Sequence, residues 1–155
     1  MTKLSLPALV AAAALALGAC GGSDKPTREE FAKSAEKVCA DLKKQSERLS
    51  TSEPDNIGEI QTFAQDARKT AQDAVKKVQA LEVPEGEAGK KATAWKDAVK
   101  SEAEDKLIPA LNALDKAAGA NDEQALVAAA QQIQGLESTE SDRLAREIGA
   151  EGCAD

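Results

Sequence analysis

From residue 27 to residue 148, apolar side chains recur at alternating steps of four and three, the period of helices that bury one stripe. The first stripe is Phe31, Ala35, Val38, Leu42 and Leu49, with Cys39 beside it. It opens on Thr27-Arg28-Glu29-Glu30, which has the form of a capping box, Thr27 as N-cap and Glu30 three residues on. The stretch from Ser50 to Pro54 breaks the pattern. Asn56-Ile57-Gly58-Glu59 offers a second box, and Ile60, Ala64, Ala67, Ala71, Ala74, Val78 and Leu81 resume the rhythm, widened by Ile57, Phe63 and Val75. Val83-Pro84-Glu85-Gly86 is a turn signal.

The third stripe starts near Glu87 and runs through Ala88, Ala92, Trp95, Val99, Ala103, Leu107, Leu111, Leu114 and Ala118, with Gly119 suited to the C′ position. Pro109 lies inside it. A proline removes one backbone hydrogen bond and its ring collides with the carbonyl four residues earlier, so a kink is expected near residues 105–109. Asn121-Asp122-Glu123-Gln124 caps a fourth helix carrying Leu126, Ala130, Ile133, Leu136, Leu144 and Ile148. It is expected to run unbroken to Gly149; Gly135 and the polar residues 138–141 make a break near residue 137 the alternative. The pattern predicts an all-α fold, an antiparallel up-down-up-down four-helix bundle over residues 27–155. The third helix, at about 48 Å, exceeds the first, at about 33 Å, so the hairpin of helices 3 and 4 is expected to project beyond the helix 1–2 connection.

Ahead of the bundle, Lys3 and the apolar run Leu4 to Leu17 read as an export signal. The run is shorter than the roughly 17–25 residues a spanning helix needs, and Pro7 interrupts its start. Leu17-Gly18-Ala19-Cys20 resembles the lipobox of bacterial lipoproteins: an aliphatic residue, two small ones, then cysteine. That resemblance implies a thioether-linked diacylglycerol on Cys20 and cleavage between Ala19 and Cys20. Residues 1–19 would then be a removed signal peptide, and residues 20–26 a flexible, lipidated tether. An ordinary secretory signal cut after Gly18 or Ala19 is the alternative. Two acyl chains, at about 0.8 kcal/mol per buried methylene, anchor stably where one is marginal.

The chain has three cysteines, Cys20, Cys39 and Cys153. Giving Cys20 to lipid leaves Cys39 and Cys153, and outside the cytoplasm such a pair usually forms a disulfide; two free thiols are the alternative. With no histidine and no further thiol, a tetrahedral zinc site cannot be closed. Without residues 1–19 the charge is 19 basic against 27 acidic residues, or −8, which gives no electrostatic case for nucleic acid or for anionic lipid headgroups. Absent histidine and with its cysteines used, the chain offers no Ser-His or Cys-His nucleophile, so no catalytic residue and no enzymatic role is expected. Acids such as Glu102-Ala103-Glu104-Asp105 lack the Glu-x-x-His and EF-hand spacings of metal sites and read as a solvated face, supported by pairs four apart such as Glu102/Lys106 and Glu87/Lys91. No metal or cofactor is expected. Trp95, the only tryptophan, reads first as a core anchor and second as a ligand contact.

Phe31, Ala35, Val38 and Cys39, the Val83-Pro84 turn, and Gly149 ahead of Cys153 resemble small disulfide-containing helical lipoproteins of high-GC Gram-positive bacteria. This chain departs in using Lys where Arg is common, and Ile148-Gly149-Ala150 where Leu-Gly-Leu is common. The resemblance implies fold and anchoring at the outer face of the cell membrane and adds no activity. The leading expectation is a non-catalytic envelope lipoprotein that displays a helical surface to a protein partner. The other is a small-ligand or lipid-binding lipoprotein with a pocket between alanine-rich helices near Trp95.

Overall fold

The computed structural model describes residues 24–50 and 54–154. The fold is all-helical, with no strand among the described residues. It has four rods. The first two are α1 (Arg28–Ser50) and α2 (Ile57–Gln79). In the third, α3 (Gly86–Ser101) passes through a π turn (Glu102–Leu107) into α4 (Ile108–Gly119). The fourth is divided into α5 (Glu123–Gln134) and α6 (Thr139–Ile148), followed by a 3-10 turn at Glu151–Cys153.

Both boxes form. The Thr27 amide donates to Glu30 Oε2 at 2.8 Å and the Glu30 amide to Thr27 Oγ1 at 3.2 Å. The backbone hydrogen bond from Thr27 holds the Glu30 carboxyl below its ordinary range. At α2 the Glu59 amide donates to Asn56 Oδ1 at 3.0 Å, while Glu59 accepts from the Asp55 amide at 2.7 Å. At the end of α4 the pattern favours Gly119 as the left-handed residue, but Asn121 takes that role at φ 54°. The Asp122 amide then closes on the Ala117 carbonyl at 3.0 Å, and Asn is the side chain that tolerates this region best after glycine.

The irregularity expected from Pro109 takes the form of the π turn just before it. The Ile108 amide donates to Ala103, five residues back. The extra residue in the turn absorbs both the missing donor and the ring's collision, and the rod continues to Gly119. The fourth helix is not continuous. Gly135 is the C-cap of α5, residues 135–138 are not helical, and α6 starts at Thr139. Glycine is a poor helix residue, and the polar residues 137–141 bring no apolar side chain to either core, so the break wins over continuity.

The expected overhang is also absent. Gln79 Nε2 donates to the Lys96 carbonyl at 2.8 Å, while at the other end Gly119 lies beside Gln61, one turn into α2. The α4–α5 hairpin thus stands level with the start of α2. The surplus length of the third rod falls at the opposite end, where residues 81–85 run alongside α3. Non-helical chain covers about 3.3 Å per residue against 1.5 Å in a helix, so a few residues suffice. Lys96 Nζ donates to the Leu81 carbonyl at 2.6 Å there, and desolvation lowers the affinity of that amine for its proton.

This junction is tight. A Cβ at Gly89 would lie 2.1 Å from the carbonyl oxygen of Pro84, which is buried. Glycine to alanine inside a helix ordinarily stabilises by up to about 1 kcal/mol. Here the overlap is with backbone, so Gly89→Ala is expected to destabilise by about 1–3 kcal/mol. The check is the urea midpoint at unchanged slope; a midpoint equal to or above the parent would show that residues 81–85 are free to move aside.

Most of the buried residues fall into two cores, with Ala71, Val75, Ala110 and Leu111 in neither. One joins Phe31 and Ala35 of α1, Val78 of α2, Ala92 and Trp95 of α3, and Leu144, Ala145 and Ile148 of α6. The other joins Ala64 of α2, Leu114, Ala117 and Ala118 of α4, and Leu126 and Ala129 of α5; no buried residue of α1 enters it. Arg68 (3.5 Å) and Gln65 (3.0 Å) reach Asp115 across the α2–α4 seam of the second core, and the Gln65 hydrogen bond is the main reason the Asp115 carboxyl sits below its ordinary range.

Past α6, Gly149 turns the chain at φ 85°, and the Ala150 amide closes on Ala145 at 2.9 Å. Arg28 reaches back to the carbonyls of Ile148 (3.2 Å) and Glu147 (3.1 Å). The 3-10 turn then brings Cys153 to α1, where it forms a disulfide with Cys39.

Candidate functional site

Beside the first core lies a half-open cleft. This cavity has a volume of about 440 Å³. Its walls are Leu42 of α1, Ala74 of α2, Val99 of α3, Leu107 of the π turn, Ile133 of α5, and Leu136 from the connection that follows. The cause is local. The rod widens at the π turn, the fourth helix breaks at the same level, and α2 and the third rod offer three alanines there (Ala71, Ala74, Ala103) among larger side chains such as Val75, Val99 and Leu107.

Trp95 stands where the first core meets this cavity. It is 1% exposed, and its ring meets Phe31 edge-on, centroids 6.0 Å apart at 86°. The tryptophan is therefore both the core anchor and a residue of the cavity wall. The disulfide forms another part of the wall. The cavity opens beside the exposed Lys106, Glu137 and Ser138.

A polar contact crosses its edge. Glu102, the first residue of the π turn, accepts from the Ser141 amide at 3.2 Å and from the Ser141 hydroxyl. Ser141 lies in the first turn of α6, whose own N-cap residue, Ser138, makes no side-chain cap hydrogen bond. A carboxylate from another rod thus supplies the cap, satisfying an orphan N–H and facing the positive end of the helix dipole. Ser141 is the one buried polar residue among those described.

The sequence pattern assigned Glu102 to a solvated face, paired with Lys106; the structure turns it to Ser141, 39 positions away. No local signal marks such a pair. The predicted pair Glu87/Lys91 is also re-sorted, Glu87 meeting Lys90 at 2.6 Å and Lys91 reaching Glu147 of α6 at 3.6 Å. Cys39 and Cys153 are brought together as the cysteine count implied. The predicted lipidation residue Cys20, the cleavage point at Ala19 and Cys20, and the signal peptide 1–19 lie outside the described residues. Among the described residues, no helix is long and apolar enough to cross a membrane, and no cluster of three acids or cysteines is placed to hold a metal ion.

Comparison with protein-family models, curated proteins and solved structures finds no match to this chain.

Proposed function

We propose that this chain is an extracytoplasmic lipoprotein of the kind it resembles, anchored in the cell membrane through Cys20, whose up-down-up-down bundle binds a small apolar ligand without catalysis. The observation that carries the reading is the cavity beside Trp95. Its volume of about 440 Å³ falls within the roughly 300–1,000 Å³ range of ligand pockets, and its walls are apolar with a few polar groups at the edge, as such pockets are built. The disulfide supports the location, since such bonds persist where the compartment is oxidising. The other reading, display of a helical surface to an envelope protein, has less behind it. Val127, 57% exposed, is the one large hydrophobic residue standing out among those described, and protein interfaces usually centre on a cluster of such residues.

The test uses the purified, anchored protein in nanodiscs and the uncharged dye N-phenylnaphthylamine. The matched control is Ala74→Phe, which fills the cavity. The parent is expected to show saturable dye emission at one dye per chain, with energy transfer from Trp95, the sole tryptophan. The Ala74→Phe protein is expected to keep its helical circular dichroism and lose this component. Identical dye curves for the two proteins would overturn the reading.

A further inference from the structure

We propose that the ligand is an organic cation, its apolar body seated in the cleft and an ammonium head at the rim beside Glu102. This rests on the cleft being the binding site and names the class of molecule it takes. The wall is divided in its chemistry. Its charged and hydroxyl-bearing residues, Glu102, Lys106, Glu137, Ser138, Ser141 and Asp142, come from two facing segments, the π turn and the chain entering α6. The rest of the wall is apolar side chains and the disulfide. Such a wall suits a molecule with an apolar body and one polar head.

The rim sets the sign of that head. Three carboxylates stand against one ammonium, a balance of −2. The positive end of α6 offsets about half a charge of it, and the whole chain, at −7, adds to it. Glu102 is the fixed member: half-buried, and held by the Ser141 amide and hydroxyl. No lysine or arginine among the described residues forms an ion pair with it. A carboxylate accepts about four hydrogen bonds, and Ser141 supplies two, so Glu102 keeps capacity for a charged donor. Lys106 and Glu137 are exposed, and Asp142 has an interaction of its own; these three contribute field at the rim more than contact. Because the cleft is half open, an ammonium there keeps part of its water and escapes most of the cost of a buried ion pair. An anionic head would meet like charge.

The experiment titrates the anchored protein, in nanodiscs of zwitterionic lipid, with 1-naphthylmethylammonium, 1-naphthylmethanol and 1-naphthoate, read by calorimetry. Ala74→Phe nanodiscs give the blank for partition into lipid. A hydrogen bond between charged groups predicts that the cation binds about tenfold tighter than the alcohol, with the naphthoate weakest. Glu102→Gln keeps an acceptor for Ser141 and loses the charge. It is expected to remove most of the cation's advantage while the alcohol stays within about twofold. Glu137→Gln is expected to weaken the cation by only about twofold, as for an exposed charge. Raising salt from about 20 mM to about 0.5 M is expected to weaken the cation several-fold and leave the alcohol unchanged, a reading that needs no variant. Equal affinities of the parent for cation and alcohol, tighter binding of the naphthoate, or an undiminished cation preference in folded Glu102→Gln would each overturn the assignment and leave the cleft reading standing. The same holds if N-phenylnaphthylamine binds and the cation does not. If neither the dye nor any of the three binds above the Ala74→Phe blank, the binding reading falls and takes this one with it.

Discussion

Replacing Cys39 and Cys153 together by serine is expected to lower the melting temperature by roughly 10–20 °C. The bond closes a loop with a sequence separation of 114, and in the chain-entropy account a loop of that length stabilises by about 4–5 kcal/mol. In a domain of this size, each kcal/mol moves the transition by a few degrees. What else holds the C-terminal turn is weak: the Arg28 bonds to Glu147 and Ile148, and a 3.3 Å bond from the Gly152 amide to Glu36. Such partly exposed bonds contribute on the order of 1 kcal/mol each. Much of the first core is alanine, which buries little area per residue and leaves little surplus to cover the loss. Thermal melts followed by circular dichroism, parent against the double variant, are the check. A shift of only a few degrees would mean that the packing of Ile148 and Ala150 already fixes the C-terminal turn unaided.

Trp95→Ala is expected to cost about 3–5 kcal/mol, the range for deleting a large buried aromatic. It should sit toward the upper end because the neighbours cannot close the gap. Ala35, Ala92, Ala145 and Ala150 are all fully buried and have no rotamers with which to refill it. The variant also loses the edge-on contact with Phe31, worth about 0.5–1.5 kcal/mol beyond area burial. Trp95→Phe keeps an aromatic partner for Phe31 and is expected to lose clearly less. Urea unfolding must be followed by circular dichroism, because the variant has no indole left to report. A loss under about 2 kcal/mol would mean that the indole hangs in the cavity and is not wedged in the core.

Much of the helical order could be read directly from residue type and spacing. Thr27 with Glu30 and Asn56 with Glu59 announce their helices because a cap is a contact within four residues. Trp95 falls on a stripe at helical spacing, and burial follows from that. Pro109 located the irregular turn but not its form, since a proline's lost bond can be absorbed by bending or by widening the ladder. Gly135 flagged a break, yet whether α5 and α6 separate depends on each finding a different core, and that is a long-range outcome. Glu102 was beyond reach for the same reason: its partner is 39 residues away, and every sequence-local rule pairs it with Lys106. The cavity was least legible of all. Ala71, Ala74 and Ala103 have the composition of close helix contact, but they border empty space. A void is a property of how several surfaces fail to meet, and no single helix encodes it.

The bond between Cys39 and Cys153 also makes most of the folded body a closed covalent ring. One proteolytic cut inside that ring, for example at residues 135–138, opens it without dividing the molecule: the fragment carrying α1 and the fragment carrying Cys153 stay joined through sulfur. If the chain is anchored through Cys20 as proposed, shedding by one cut would require cleavage ahead of residue 39, unless reduction comes first.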